Sequence, residues 1–201
     1  MSDTRHNTPL SPGFAEPVHQ AQQVFRQVLA AMAEPGTLQR LPTLPAPEGM
    51  DGAAYQVCLA LLDQETPLWI APALRNPAVL ETLRFHAGCP LVDEPGRAAF
   101  ALATAELQGD LRQFTPGSHE YPDRSTTLIL QVSGLDHGGT LLLEGPGIPG
   151  RRAVSIDDFD DRWLDMLAAN RAGFPLGVDL ILCAGEWLMA LPRTTQICRE
   201  A

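Results

Sequence analysis

The chain has 201 residues, enough to bury a sizeable core in one domain without disulfide staples. Its formal net charge of −10 and pI near 4.8 repel phosphate backbones and anionic lipid, so neither nucleic acid nor membrane is an expected partner. Every basic residue is arginine; with no lysine, a Walker A loop and a pyridoxal phosphate Schiff base are both excluded.

Residues 1–16 are polar with no apolar signal-like run, and they are expected to form a disordered leader ahead of a single α/β domain over 17–201. No run approaches membrane-spanning length, and a soluble cytoplasmic protein is expected. From Pro17, Val18, Ala21, Val24, Phe25, Val28, Leu29 and Met32 follow helical spacing until Glu34-Pro35-Gly36 ends the pattern. A Pro-rich connection leads to a second helix over about 51–63, where Asp51 is placed to cap the first turn. Residues 67–71, PLWIA, read as a strand.

Asn76 as cap and Pro77 at the first position start a third helix, with Val79, Leu80, Leu83 and Phe85 on one side. Residues 98–104 read as a buried strand, and a polar stretch rich in turn formers precedes the apolar TTLILQVSGL. A hairpin-like TLLLEGPGI, a strand RAVSI, a helix over 157–170 and two final strands around the Ala184-Gly185-Glu186 turn complete the pattern. Interleaved strands and helices predict a layered fold with a mixed β-sheet and flanking helices.

Several stretches tempt a chemical reading. His119-Glu120-Tyr121-Pro122-Asp123 begins like a zinc motif, but Pro122 breaks the helix that would present a second ligand, and a polar loop is expected instead. His86 and Cys89 lack a second ligand pair, and His86 fits a helix C-terminus. Cys58, Cys89, Cys183 and Cys198 form no CxxC pair and are expected as buried, reduced thiols. Gly145-Pro146-Gly147-Ile148-Pro149-Gly150 with Arg151 and Arg152 has phosphate-cradle composition, but a strand follows it rather than a helix N-terminus, and a plain turn is favoured. No GxSxG elbow occurs, and no self-contained catalytic constellation emerges.

The ordered pieces nevertheless carry a resemblance. Phe25-Arg26 with Ala31-Met32-Ala33-Glu34-Pro35-Gly36, Thr66-Pro67-Leu68-Trp69, Leu83-Arg84-Phe85-His86 with Pro90-Leu91-Val92, and the run from Thr126 to Val132 come in that order. Gly145-Pro146-Gly147-Ile148, the run from Phe174 to Leu180, and Pro192-Arg193-Thr194-Thr195 follow. Together they resemble the PhnH family, core subunits of the bacterial carbon-phosphorus lyase system, across nearly everything after the leader. The resemblance implies a fold distantly like pyridoxal-phosphate-dependent transferases but without the cofactor. It implies a homodimer when alone, and association with PhnG, PhnI and PhnJ type subunits and a PhnL type component. ATP and a phosphonate would be substrates of the assembled complex, which displaces adenine to give a ribose 1-phosphonate 5-triphosphate before the carbon-phosphorus bond is cleaved. It assigns no catalytic residue to this subunit.

The Pro192–Thr195 segment is expected to expose a fixed positive charge at a sheet edge, suited to carboxylate or phosphate. In one reading Arg193 and Thr194, with Arg84, His86, Glu34 and Asp123, line a pocket or subunit contact for an anionic group. In the other, Arg193 is a structural tether to a carboxylate such as Glu34 or Asp179. Three functions stay open: a co-catalytic or non-catalytic subunit of the phosphonate-activating assembly, an enzyme in its own right on nucleotides or phosphonates, and a homodimeric scaffold with a vestigial pocket.

Overall fold

The structure is a computed structural model that describes residues 10–200. Four helices, α1 (Pro17–Ala33), α2 (Gly52–Leu61), α3 (Pro77–His86) and α4 (Asp161–Ala172), pack on the two faces of a seven-stranded mixed sheet. In chain order its strands are β1 (Gln39–Arg40), β2 (Leu68–Ile70), β3 (Leu91–Val92), β4 (Phe100–Thr104), β5 (Thr127–Gln131), β8 (Asp179–Ala184) and β9 (Trp187–Leu191). Their spatial order is β1-β9-β8-β5-β4-β2-β3, with β3, β2, β4, β5 and β8 parallel, β9 antiparallel to β8, and β1 antiparallel to β9 at the margin. A second, three-stranded antiparallel sheet of β6 (Leu135–Glu144), β7 (Arg152–Ile156) and β10 (Gln196–Arg199) runs in the order β10-β6-β7.

The central strands are apolar on both faces, as parallel strands covered on both sides must be. Ile129, Leu102, Ile181 and Leu188 face α1, α2 and α3, whereas Leu128, Leu130, Ala101 and Leu182 face α4 and the small sheet. The one-residue alternation of β5 therefore builds two cores from a single strand. α2 is buried from Ala53 through Cys58, against the sheet on one side and α1 on the other.

Several sequence expectations change. The apolar stripe of α1 is wider than its core face: Val24, Val28 and Ala31 are buried, but Val18, Phe25 and Leu29 are 80%, 49% and 56% exposed. Phe85 likewise stands 69% exposed beyond the buried Val79 and Leu83 of α3, because a ten-residue helix meets the core along only one line. Asn76 does cap α3, accepting from Val79 N–H at 3.0 Å, but Asp51 makes no side-chain cap on α2. α4 starts four residues late, since Asp158 takes a left-handed φ of 71° and Asp160 is the cap, accepting from Trp163 N–H at 3.1 Å. A third strand, β10, follows the final hairpin and crosses into the small sheet, where the sequence pattern predicts only the two strands of the hairpin. The two-residue strands β1 and β3, which edge the main sheet, are too short to carry a pattern.

Residues 1–9 of the expected leader lie outside the described residues. Residues 10–16 run against the body: Tyr55 donates to the Pro12 carbonyl at 3.2 Å and Phe14 packs on the helical core. Among the described residues no helix is long and apolar enough to cross a membrane.

Candidate functional site: a cleft at the strand ends

From β2 the chain passes through α3 to β3 on one side, whereas from β4 it passes to β5 and then to β8 on the other. The two directions part between β2 and β4, and open α/β sheets bind ligands at the carboxyl ends of strands at such a point. A cleft of about 880 Å³ opens there, bordered by Ala73 after β2, Thr104 and Glu106 at and after β4, and Gln131 and Ser133 at and after β5.

Gln131 fixes its floor. Its side-chain carbonyl accepts from Asp51 N–H at 2.7 Å and its amide donates to the Gly49 carbonyl at 3.0 Å, so the start of α2 is pinned to the end of β5. The Asp51 carboxyl, freed from helix capping, is half-buried, and that burial pushes its pKa up against the opposing effect of a Gly185 N–H. On the far wall Asp158 accepts from Ser133 N–H at 2.7 Å, while Arg162 donates to the carbonyls of Leu107 at 2.9 Å and Gly109 at 3.4 Å. Four carboxylates, Asp51, Glu106, Asp158 and Asp160, thus face one guanidinium. No His or Cys lines the cleft, and the described residues hold no group of three metal-ligating side chains.

The residues singled out by sequence lie elsewhere. Arg193, Thr194 and Asp123 share a shallow depression with Met32, Pro175 and Pro192, at the end of the sheet where β8 begins and opposite the cleft. The charge expected to be exposed is not: the Arg193 side chain is 11% exposed and that of Asp179 18%. The Arg193 Nε and one terminal nitrogen donate to Asp179, that nitrogen also reaches Ser125 Oγ, and the other donates to the carbonyls of Pro122 at 2.9 Å and Pro175 at 3.3 Å. All five guanidinium N–H groups are therefore committed inside the chain, and Asp179, not Glu34, is the carboxylate partner. Thr194 offers its carbonyl to Arg171 Nε at 3.3 Å.

Glu34, Arg84 and His86 do not join Arg193. Glu34 ends α1, where its carbonyl accepts from Thr37 Oγ1 at 2.8 Å and from Arg152 at 3.2 Å. Arg84 and His86 occupy the exposed last turn of α3, and His86 Nε2 lies 2.9 Å from the Ser11 carbonyl oxygen. The Gly145–Gly150 loop is an α1 clamp: Arg152 also donates to the Pro35 carbonyl, Arg151 pairs with Glu144, and Gly147 sits against the Ala33 carbonyl. His119 is exposed on a polar loop whose Arg124 stacks over Tyr121 at 4.1 Å. Cys58, Cys89 and Cys183 are buried free thiols and Cys198 is partly exposed.

The cleft is not legible in the sequence because its residues are drawn from five separate segments and share no spacing. The signal available was the position of polar residues directly after apolar strands, at Thr104–Glu106 and Gln131–Ser133.

Comparison with known proteins identifies the lineage. The family described as bacterial phosphonate metabolism protein (PhnH) matches residues 12–198. The alpha-D-ribose 1-methylphosphonate 5-triphosphate synthase subunit PhnH of Rhizobium meliloti (strain 1021) is 43% identical over 194 residues, covering 94% of this chain and 96% of that protein. HtxG of Stutzerimonas stutzeri, named provisionally as a C-P lyase subunit protein, is 33% identical over 178 residues, 88% of this chain and 85% of its own. The clamp between the α1 terminus and the Gly145–Gly150 loop, and the segment around Arg193, fall inside the matched span, and the chain belongs to the PhnH family of bacterial phosphonate metabolism proteins.

Proposed function

We propose that this chain is a cytoplasmic subunit of a carbon-phosphorus lyase assembly, supporting the ATP-dependent step that displaces adenine with an alkylphosphonate to give a ribose 1-phosphonate 5-triphosphate. The observation that carries this reading is the 43% identity, over almost the whole of both chains, to a protein named as a subunit of the synthase for that methylphosphonate product. The expected partners are PhnG, PhnI and PhnJ type subunits and a PhnL type component, with a homodimer as the form of the isolated chain. Exposed Val18, Phe25, Leu29 and Phe174 support association, since soluble monomers expose few clustered large apolar side chains. Arg84 and His86, standing free of the Arg193 network, are proposed as interface residues rather than as part of an anion pocket. The lysine-free sequence supports a chain without covalent pyridoxal phosphate, on a fold distantly like the transferases that use it.

Co-expression with the G, I and J type partners tests the reading. Native mass should show this chain in the complex, and release of adenine from ATP and methylphosphonate should collapse when it is left out. Partners that assemble and turn over unaided would refute it.

A further inference from the structure

The chemistry of the strand-end cleft narrows what it can hold. Its volume of about 880 Å³ suits a small organic ligand rather than a single ion. A phosphate or phosphonate dianion entering it meets four carboxylates, and the one guanidinium, Arg162, is already engaged by the Leu107 and Gly109 carbonyls. Most of the hydrogen-bonding capacity left open is acceptor capacity. Asp158 spends one oxygen on Ser133 N–H, Asp160 spends one on Trp163 N–H, and Asp51 meets the Gly185 N–H rather than capping the helix it precedes, so each carboxylate keeps lone pairs open. The hydroxyls of Thr104 and Ser133 can donate or accept.

Such walls complement a ligand rich in donors and free of negative charge at the point of contact. A ribose diol offers two adjacent O–H groups to a carboxylate, the recognition that acidic residues at the strand ends of dinucleotide-binding sheets use. Asp51, whose backbone N–H is held by Gln131, and Asp158, whose carboxylate is held by Ser133 N–H, both border the cleft that opens where the strand directions part. From cavity, polarity and position the geometry points to a nucleoside site: the cleft holds the ribose of a nucleotide through Asp51 and Asp158, with any phosphates directed out to solvent. The choice of a nucleoside among donor-rich ligands rests on the subunit reading above, whose reaction consumes a ribonucleotide.

The test is calorimetric titration of the full-length isolated chain with adenosine, 2′-deoxyadenosine, methylphosphonate and putrescine. Adenosine should bind saturably, 2′-deoxyadenosine about tenfold or more weakly, and methylphosphonate should not compete. Asp158→Asn retains an oxygen for Ser133 N–H and, as asparagine, accepts the left-handed backbone, and Asp51→Asn is isosteric, so both should fold. Thermal unfolding checks this, and each should weaken adenosine about tenfold. No saturable binding of adenosine, equal binding of the deoxynucleoside, or indifference to both variants overturns the inference. Displacement of adenosine by putrescine overturns it too, in favour of an ammonium site. If adenosine fails to bind while omission of the chain still abolishes adenine release, the cleft assignment falls and the subunit reading stands. If adenosine binds as expected while the partners turn over without the chain, the reverse holds.

Discussion

Arg193 spends its five guanidinium donors on Asp179, Ser125 and the carbonyls of Pro122 and Pro175, joining the loop before β5, the loop before β8 and the joint between β9 and β10. Arg193→Ala should cost about 3–5 kcal/mol in urea unfolding, because it leaves the largely buried Asp179 carboxylate unpaired. Arg193→Lys should recover little, since a single ammonium cannot reach these partners with the planar fork's geometry. The tether was legible as one of two alternatives. What separates them is hairpin register: a two-residue turn pairs Ala184 with Trp187 and Leu180 with Leu191, which sets Asp179 beside Pro192 and Arg193. Asp51 gives a second residue-scale test. Burial raises its carboxyl pKa above the ordinary 3.8, so the folded state holds that proton more tightly than the unfolded chain. Its contribution is most favourable below 3.8 and is lost as pH rises through the raised value. Asp51→Asn should therefore be more stable than the natural chain at pH 7, with the advantage vanishing towards pH 3 in thermal unfolding measured across that range.

The clamp at the end of α1 accounts for two of the recognisable motifs together. Gly147, at φ 80°, approaches the Ala33 carbonyl so closely that an added Cβ would lie 2.1 Å from it, while Gly36 faces Leu143 and Arg152. Gly150 shares a left-handed φ of 69° but faces open space. Gly147→Ala should destabilise by about 3 kcal/mol or more and Gly150→Ala by about 1–2 kcal/mol, a difference that urea unfolding of the two variants will resolve. From the sequence alone the loop read as a turn, which it is, but its docking on a helix more than a hundred residues earlier has no local signature. Helices with strong caps and period were readable, as Asn76 and Pro77 show. The start of α4 was not, because Asp157, Asp158, Asp160 and Asp161 are all competent cap types and only the backbone of Asp158 decides among them.

The main sheet is shared by two cores, so neither can melt alone without exposing the other face of β5 and β8. Calorimetry should show one transition with equal calorimetric and van't Hoff enthalpies. Leu83→Ala on the helical side and Leu143→Ala on the small-sheet side should each lower that same transition, by about 2–5 kcal/mol. Burial also pushes up the thiols of Cys58, Cys89 and Cys183, so a native thiol titration at pH 8 should react quickly with Cys198 alone and with all four cysteines after denaturation. The alternation of strands and helices made the mixed sheet legible. The second sheet was not, since β10 pairs with β6 over more than fifty residues and nothing local distinguishes it from a continuation of the hairpin.

The seven-stranded sheet closes on each side with a strand of only two residues, β1 and β3. Blunted margins of this kind give an incoming polypeptide almost no ladder to extend, which guards the free chain against edge-to-edge aggregation. They also mean that an assembly cannot annex this subunit by running a continuous backbone seam through its main sheet. Recognition there has to be written in side chains, and it is therefore open to single substitutions in a way that strand addition is not.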